Sequence, residues 1–141
     1  MKSVLAHGTF DLIHAGHIDY LEFAKDQGDH LTVALSSDIM VQKRKGKQRP
    51  IMTYVAREKV VNALKAVDEV IEAPYPGDDL IENLMQLIRA LRPTVFVSSY
   101  SEFSERFQDE MQEINVKFVH APVFGRTTTT NIIERILSRY E

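Results

Sequence analysis

The sequence predicts an α/β fold in which an open, doubly wound sheet of five parallel strands forms one domain. Two observations carry this expectation: strand-like and helix-like segments alternate from end to end, and the crossovers are long enough for parallel pairing. A third bounds it. The 141 residues suit a single sizeable core, and no repeat, low-complexity tract or linker divides residues 1–141.

The elements follow in order. Val4–Ala6 lie in a short β-like run that closes on Gly8. Residues 15–27 place Ile18, Leu21 and Ala24 near helical spacing, with Gly28 as a stop. LTVALSS is a compact strand of the kind buried in a parallel sheet. KRKGKQRP follows as a basic loop broken by Gly46 and Pro50. Residues 54–66 are helical on Val55, Val60, Val61 and Leu64, and DEVIEA is a brief strand. PYPGDD is a turn with an Asp-rich helix start, and residues 80–91 carry apolar side chains at helical spacing. Pro93 ends that helix and introduces the strand TVFVSS. Ser101 to Glu113 is read as helix, VKFVHA as the last strand and TNIIERILSRY as the last helix. Ligands of such a sheet are expected beyond the carboxyl ends of its strands, near the switch in strand order.

Composition narrows the function classes. A net charge of −3 argues against nucleic-acid binding by bulk electrostatics. The absence of cysteine excludes disulfides, thiolate catalysis and sulfur-based zinc sites, and fits a reducing, cytoplasmic setting. The apolar run at the N-terminus is interrupted by His7 and is short for a signal peptide, and no stretch is long enough for a membrane helix.

The segment GTFDLIHAGH, residues 8–17, begins where the first strand ends. Gly8 permits a tight exit from the strand, and Gly16 would let phosphates approach the backbone. His14 and His17 are three apart, so both project from nearly one face if a helix begins near Ala15. Imidazole N–H donors at a helix N-terminus make a phosphate site, as the transition state of phosphoryl or nucleotidyl transfer requires. Packed core histidines, a metal-binding pair and an exposed polar face compete with this reading. No HExxH pattern or nearby acidic third ligand supports the metal, so no metal ligands are assigned.

GTFDLIHAGH resembles the signature of the cytidylyltransferase-like nucleotidyltransferases, G-[TC]-F-D-x-x-H-x-G-H. The likeness continues through SSD at residues 36–38, the basic loop, Arg57, AVDEVI at 66–71 and TTNIIERI at 129–136. HAGH is also similar to the HIGH motif of class I aminoacyl-tRNA synthetases, but the chain is far too short for one and has no KMSKS-like segment. The resemblance implies a Rossmann-like domain whose His14, His17, Lys45 and Arg57 contact phosphates during catalysis. Gly8, Thr9, Phe10, Gly16, Thr128, Thr129 and Thr130 are then expected around the nucleotide. The threonines also suit a helix cap. Lys47, Asp11, Ser99 and Tyr100 are assigned to the acceptor side.

Two departures from the family pattern stand out. The arginine that glycerol-3-phosphate enzymes carry upstream of the threonines falls on Val123, with Arg126 as its candidate replacement. The fourth strand ends FVSSYSE where relatives have Gly-Asp-Asp or Gly-Gly-Asp, so Ser98, Ser99 and Tyr100 offer hydroxyls in place of a carboxylate.

The expected reaction is attack of a phosphorylated small alcohol such as glycerol-3-phosphate on the α-phosphorus of a nucleoside triphosphate, releasing pyrophosphate. CTP is favoured as donor. The alternatives are ATP with heptose-1-phosphate or FMN as acceptor, a nucleotide-binding module without catalysis, and RNA binding through the basic loop. Mg²⁺ is expected to travel with the triphosphate. Relatives are often dimers, which implies a homodimer here.

Overall fold

The computed structural model describes residues 1–125 and 127–140. Its elements run β1 (Ser3–Gly8), α1 (Ala15–Lys25), β2 (His30–Leu35), α2 (Asp38–Lys45), α3 (Tyr54–Asn62), β3 (Glu69–Glu72), α4 (Leu80–Leu91), β4 (Val95–Ser98), α5 (Glu102–Glu113), β5 (Lys117–His120) and α6 (Thr129–Tyr140). The five strands form one parallel sheet in the order β3-β2-β1-β4-β5. This is the doubly wound α/β architecture that the alternation of elements predicts.

Side-chain alternation builds a core on each face of the sheet. Val4 and Ala6 of β1, Val33 of β2 and Val95 and Val97 of β4 pack with Leu21 and Ala24 of α1 and Val61 of α3. The intervening Leu5, Ala34 and Phe96 pack on the other face with Leu84, Met85 and Ile88 of α4 and Phe103 and Met111 of α5. Strands covered on both faces need apolar residues at every position, and β4 is buried throughout.

The local chemistry departs from the sequence reading in three places. First, the start of the basic loop, Lys43–Lys45, is helix. Ser37 Oγ accepts from the Met40 N–H at 3.2 Å and starts α2. Lys43, Arg44 and Lys45 fill its last turn, where cations suit the negative end of the helix dipole, and Gly46 ends it at φ 103°. Only Met40 and Val41 of α2 are buried, so its sequence carries little helical periodicity. Second, α3 stops at Asn62, and residues 63–67 continue as tight turns such as Leu64 N–H to the Val61 carbonyl. Third, α1 ends before Gly28, with Asp26 as its C-cap. A Cβ at residue 28 would lie 2.7 Å from the Lys2 carbonyl oxygen, so Gly28 serves a close approach to the start of β1 rather than a helix stop.

No helix among the described residues is long and apolar enough to cross a membrane.

Candidate active site at the strand switch

The site originates where two neighbouring strands part. β1 pairs with β4 only as far as Ala6 opposite Val97, while it stays paired with β2 through Gly8 opposite Leu35. The Tyr20 hydroxyl, from α1, lies within hydrogen-bond reach of the His7 and Val97 carbonyls at 3.3 and 3.2 Å and closes the gap. Above it opens a cleft of about 430 Å³. Its walls are the β1–α1 segment, the end of α2, the β4–α5 turn and the chain entering α6. This is the switch point at which such sheets bind ligands.

The histidines sit at the N-terminus of α1, as the spacing predicts. His14 is the N-cap and its Nδ1 accepts from the Gly16 N–H at 3.1 Å. His17 Nδ1 accepts from the His14 N–H at 3.2 Å. Both rings therefore carry their proton on Nε2, which remains the donor available to a ligand. The rings stack with centroids 3.8 Å apart, and Phe10 packs its ring edge against His17 at 5.2 Å. Burial, then the charges of His14 and Lys45, push His17 down to about 4, and burial lowers His14 as well. The pair is a fixed set of neutral N–H donors beside the positive end of a helix dipole.

Gly8 makes the tight exit that the sequence suggests, whereas Gly16 serves a different contact. A Cβ on Gly8 would stand 2.6 Å from the Phe10 ring, which is 3% exposed and has nowhere to retreat. Phe10 itself has φ 52°, so the chain folds back over Gly8 immediately after the strand. A Cβ on Gly16 would stand 2.9 Å from the Phe124 carbonyl oxygen and 3.0 Å from the His14 ring. The close approach at Gly16 is thus made by the protein's own chain.

Two residues expected at the substrate are engaged by the protein's own groups, and only one of them lines the cleft. Arg57 is fully buried and does not line the cleft. Its guanidinium donates to the Met52 and Thr9 carbonyls at 3.0 and 2.9 Å and to Asp38 Oδ1 at 2.7 Å, leaving it no route to a phosphate. Asp11, 1% exposed, accepts from the Ile51 and Met52 N–H groups at 2.7 and 2.9 Å and from Arg49 Nε at 3.2 Å. It lines the cleft, and its carboxylate is engaged in holding residues 49–52. Arg57 and Asp11 act on the cleft through the loops they hold.

Lys45 lines the cleft, whereas Lys47 does not. Desolvation, then the charges of Arg49 and Arg44, lower Lys45 from the ordinary lysine value against the opposing pull of Asp11. An incoming phosphate would relieve that repulsion. Thr128, Thr129 and Thr130 all line the cleft, with divided roles. Thr128 Oγ1 accepts from the Asn131 N–H at 3.0 Å, capping α6, and the buried Thr129 hydroxyl donates to the Leu12 carbonyl at 2.9 Å. Thr9 and Val123 are in the lining too; Arg126 lies outside the described residues. Ser98, Ser99 and Tyr100 form the opposite wall, with Ser98 Oγ accepting from the Tyr100 N–H at 3.0 Å.

Sequence reasoning missed His7, Arg44 and Thr127, all in the lining. His7 offered a signal: a polar residue inside an apolar strand, one position before the glycine that ends it. Arg44 had only the basic run around it, because its direction depends on α2 being a helix.

The profile of the cytidylyltransferase-like family matches residues 5–137. The chain is 34% identical over 140 residues to the bifunctional protein HldE of Syntrophotalea carbinolica, covering 98% of this chain and 27% of that protein. It therefore spans about a quarter of the length of the HldE relatives it matches. It is 36% identical over 145 residues to FAD synthase of Ferroglobus placidus, covering 98% of this chain and 90% of that one. Among solved structures, the lipopolysaccharide core biosynthesis protein of Thermoplasma volcanium matches with a TM-score of 0.72 at 27% identity, over 89% of this chain and 99% of that one. Pantothenate synthetase of Thermus thermophilus, 11% identical with a TM-score of 0.67 over 94% of this chain and 61% of that one, shares the fold alone. With the histidine segment at the strand switch and a profile match across nearly its whole length, the chain belongs to the cytidylyltransferase-like family.

Proposed function

We propose that the chain transfers AMP from ATP to a phosphorylated small molecule and releases pyrophosphate. The observation that carries this reading is the stacked His14–His17 pair, whose Nδ1 atoms are both occupied as acceptors while Nε2–H remains free for a ligand. Such donors suit charge that develops on a phosphate in the transition state, because they are oriented before the reaction begins.

ATP replaces the CTP favoured from the sequence. FAD synthase, 36% identical and matched over 90% of its length, supports an adenine nucleotide as donor. The lipopolysaccharide core biosynthesis protein supports a sugar phosphate among the acceptors to be tried.

The acceptor phosphate, with a second pKa of about 6, is largely ionised near neutrality and needs no general base. Its oxygen forms a bond to the α-phosphorus as the bond from that phosphorus to the bridging oxygen breaks, and pyrophosphate departs. His14 and His17 donate to the α-phosphate or the leaving oxygen, and Lys45 neutralises the phosphates. Thr130 and the N-terminus of α6 meet the outer phosphates. Mg²⁺ arrives as part of the substrate and keeps several waters. That arrangement suits a cleft whose nearby carboxylate, Asp11, is already committed to Arg49, Ile51 and Met52.

The test is pyrophosphate release with Mg-ATP and Mg-CTP in turn, against heptose-1-phosphate, glycerol-3-phosphate and FMN, with product masses checked. Release with ATP and one acceptor is the expected result. Release with CTP alone would overturn the choice of base, and nucleotide binding without release for any acceptor would replace the enzyme with a binding module. A homodimer, implied by the family resemblance, belongs to the same proposal and is read by light scattering.

A further inference from the structure

Beside the histidine pair, the cleft holds a second group of side chains that nucleotide chemistry leaves unused. His7 lies in the cleft wall at 6% exposure, and its Nε2 has no hydrogen-bond partner. Buried polar atoms are normally paired, and an orphan in a ligand cleft needs an explanation. The Tyr100 ring lies 5.8 Å from the His7 ring. Arg44 donates to the Tyr100 hydroxyl at 2.9 Å and holds its guanidinium carbon 5.6 Å from the centre of the same ring. Arg44 has no carboxylate partner among the described residues, although Lys43 next to it pairs with Asp78 at 3.0 Å. The cluster therefore combines an orphan ring nitrogen, a phenol and a cation awaiting an anion, at the ends of β1, β4 and α2.

We propose that His7, Arg44 and Tyr100 form the acceptor subsite and select a polyhydroxylated phosphate, a sugar or polyol phosphate, over a flat aromatic one. The inference rests on the nucleotidyl transfer proposed above. Arg44 and Lys45 are consecutive in the last turn of α2 and both line the cleft. An acceptor phosphate held by Arg44 is thereby brought beside the nucleotide phosphates held by Lys45, as in-line attack requires. His7 is neutral, since burial and the Arg44 charge push it down to about 3, so it meets the acceptor as a hydrogen-bonding ring rather than as a second cation. Its Nε2 and the Tyr100 hydroxyl suit hydroxyl groups on the acceptor body. The Tyr100 ring is already flanked by Arg44 and His7, which leaves little of it for a flavin-like ring to stack on.

The experiment is steady-state kinetics with Mg-ATP on the wild type and on Arg44→Ala, Tyr100→Phe and His7→Phe, using glycerol-3-phosphate, heptose-1-phosphate and FMN as acceptors. Arg44→Ala is expected to raise the acceptor KM about tenfold or more, and the other two a few-fold, with KM for ATP within about twofold of wild type. His7→Phe should also narrow the preference for heptose-1-phosphate over FMN. Arg44 is exposed and Tyr100 loses only an oxygen, so those two variants decide the matter if the His7 variant does not fold. An unchanged acceptor KM in both, or a parallel rise in KM for ATP, overturns the subsite. A wild type that prefers FMN overturns the inference while leaving AMP transfer intact. Silence of the wild type with every acceptor overturns the transfer reading itself.

Discussion

The Gly8–His17 and Lys43–Lys47 segments meet at one cleft and are held in opposite ways. In the first, polar groups are tied down by the protein itself. The Asp11 carboxylate accepts three hydrogen bonds, Arg57 donates to the Thr9 carbonyl, Thr129 to the Leu12 carbonyl, and the two imidazoles accept from backbone N–H groups. In the second, residues 42–48 are all exposed, and Arg44, Lys45 and Lys47 have no carboxylate partner among the described residues. In the proposed reaction the two segments divide the labour. Fixed donors stabilise developing charge without reorganising at the moment of reaction, whereas flexible cations adjust to whatever phosphate arrives.

The largest effect should come from breaking the fixed side at its centre. Asp11→Ala leaves Arg49 and two N–H groups without their acceptor, and denaturant unfolding should show a loss of about 3–5 kcal/mol. A loss below about 1 kcal/mol would mean that the segment is held by packing alone. His17→Ala should leave the fold intact and lower kcat about 10²- to 10³-fold. Turnover within a few-fold of wild type would remove the histidines from the chemistry.

The contrast sharpens with pH. His7 and His17 are pushed from 6.5 to about 3 and about 4, so between those values and 6.5 the unfolded chain binds more protons than the folded one. Stability therefore rises with pH through that window and is lost as pH falls below 6.5. The thermal midpoint should drop between pH 7 and pH 5, and the slope should flatten in His7→Phe; an equal slope in the variant would relocate the linkage. The smallest effects should separate two lysines of the flexible side. Lys45→Ala should lower kcat/KM about tenfold, and Lys47→Ala, outside the cleft, less than about twofold. Equal effects would mean that the segment acts only through its summed charge.

Much of this molecule is legible locally. Apolar runs, Pro93 and the Asp79 start mark β4 and α4 because periodicity and capping are settled within a few residues. The HAGH spacing likewise places two imidazoles at a helix start. Arg57 shows where that reasoning stops. Its sequence neighbours suit an exposed helix cation, yet its guanidinium is held by the carbonyl of Thr9, 48 residues away, and by Asp38. Asp11 is bound by backbone from residues 49–52, and Gly16 is required by a carbonyl at Phe124. Local pattern is enough for the doubly wound sheet and for two imidazoles at the strand end where the candidate site opens. Which charged residues face the cleft and which brace its loops is settled by contacts between distant parts of the chain. The direction of a long polar side chain is set by partners that chain order keeps far apart.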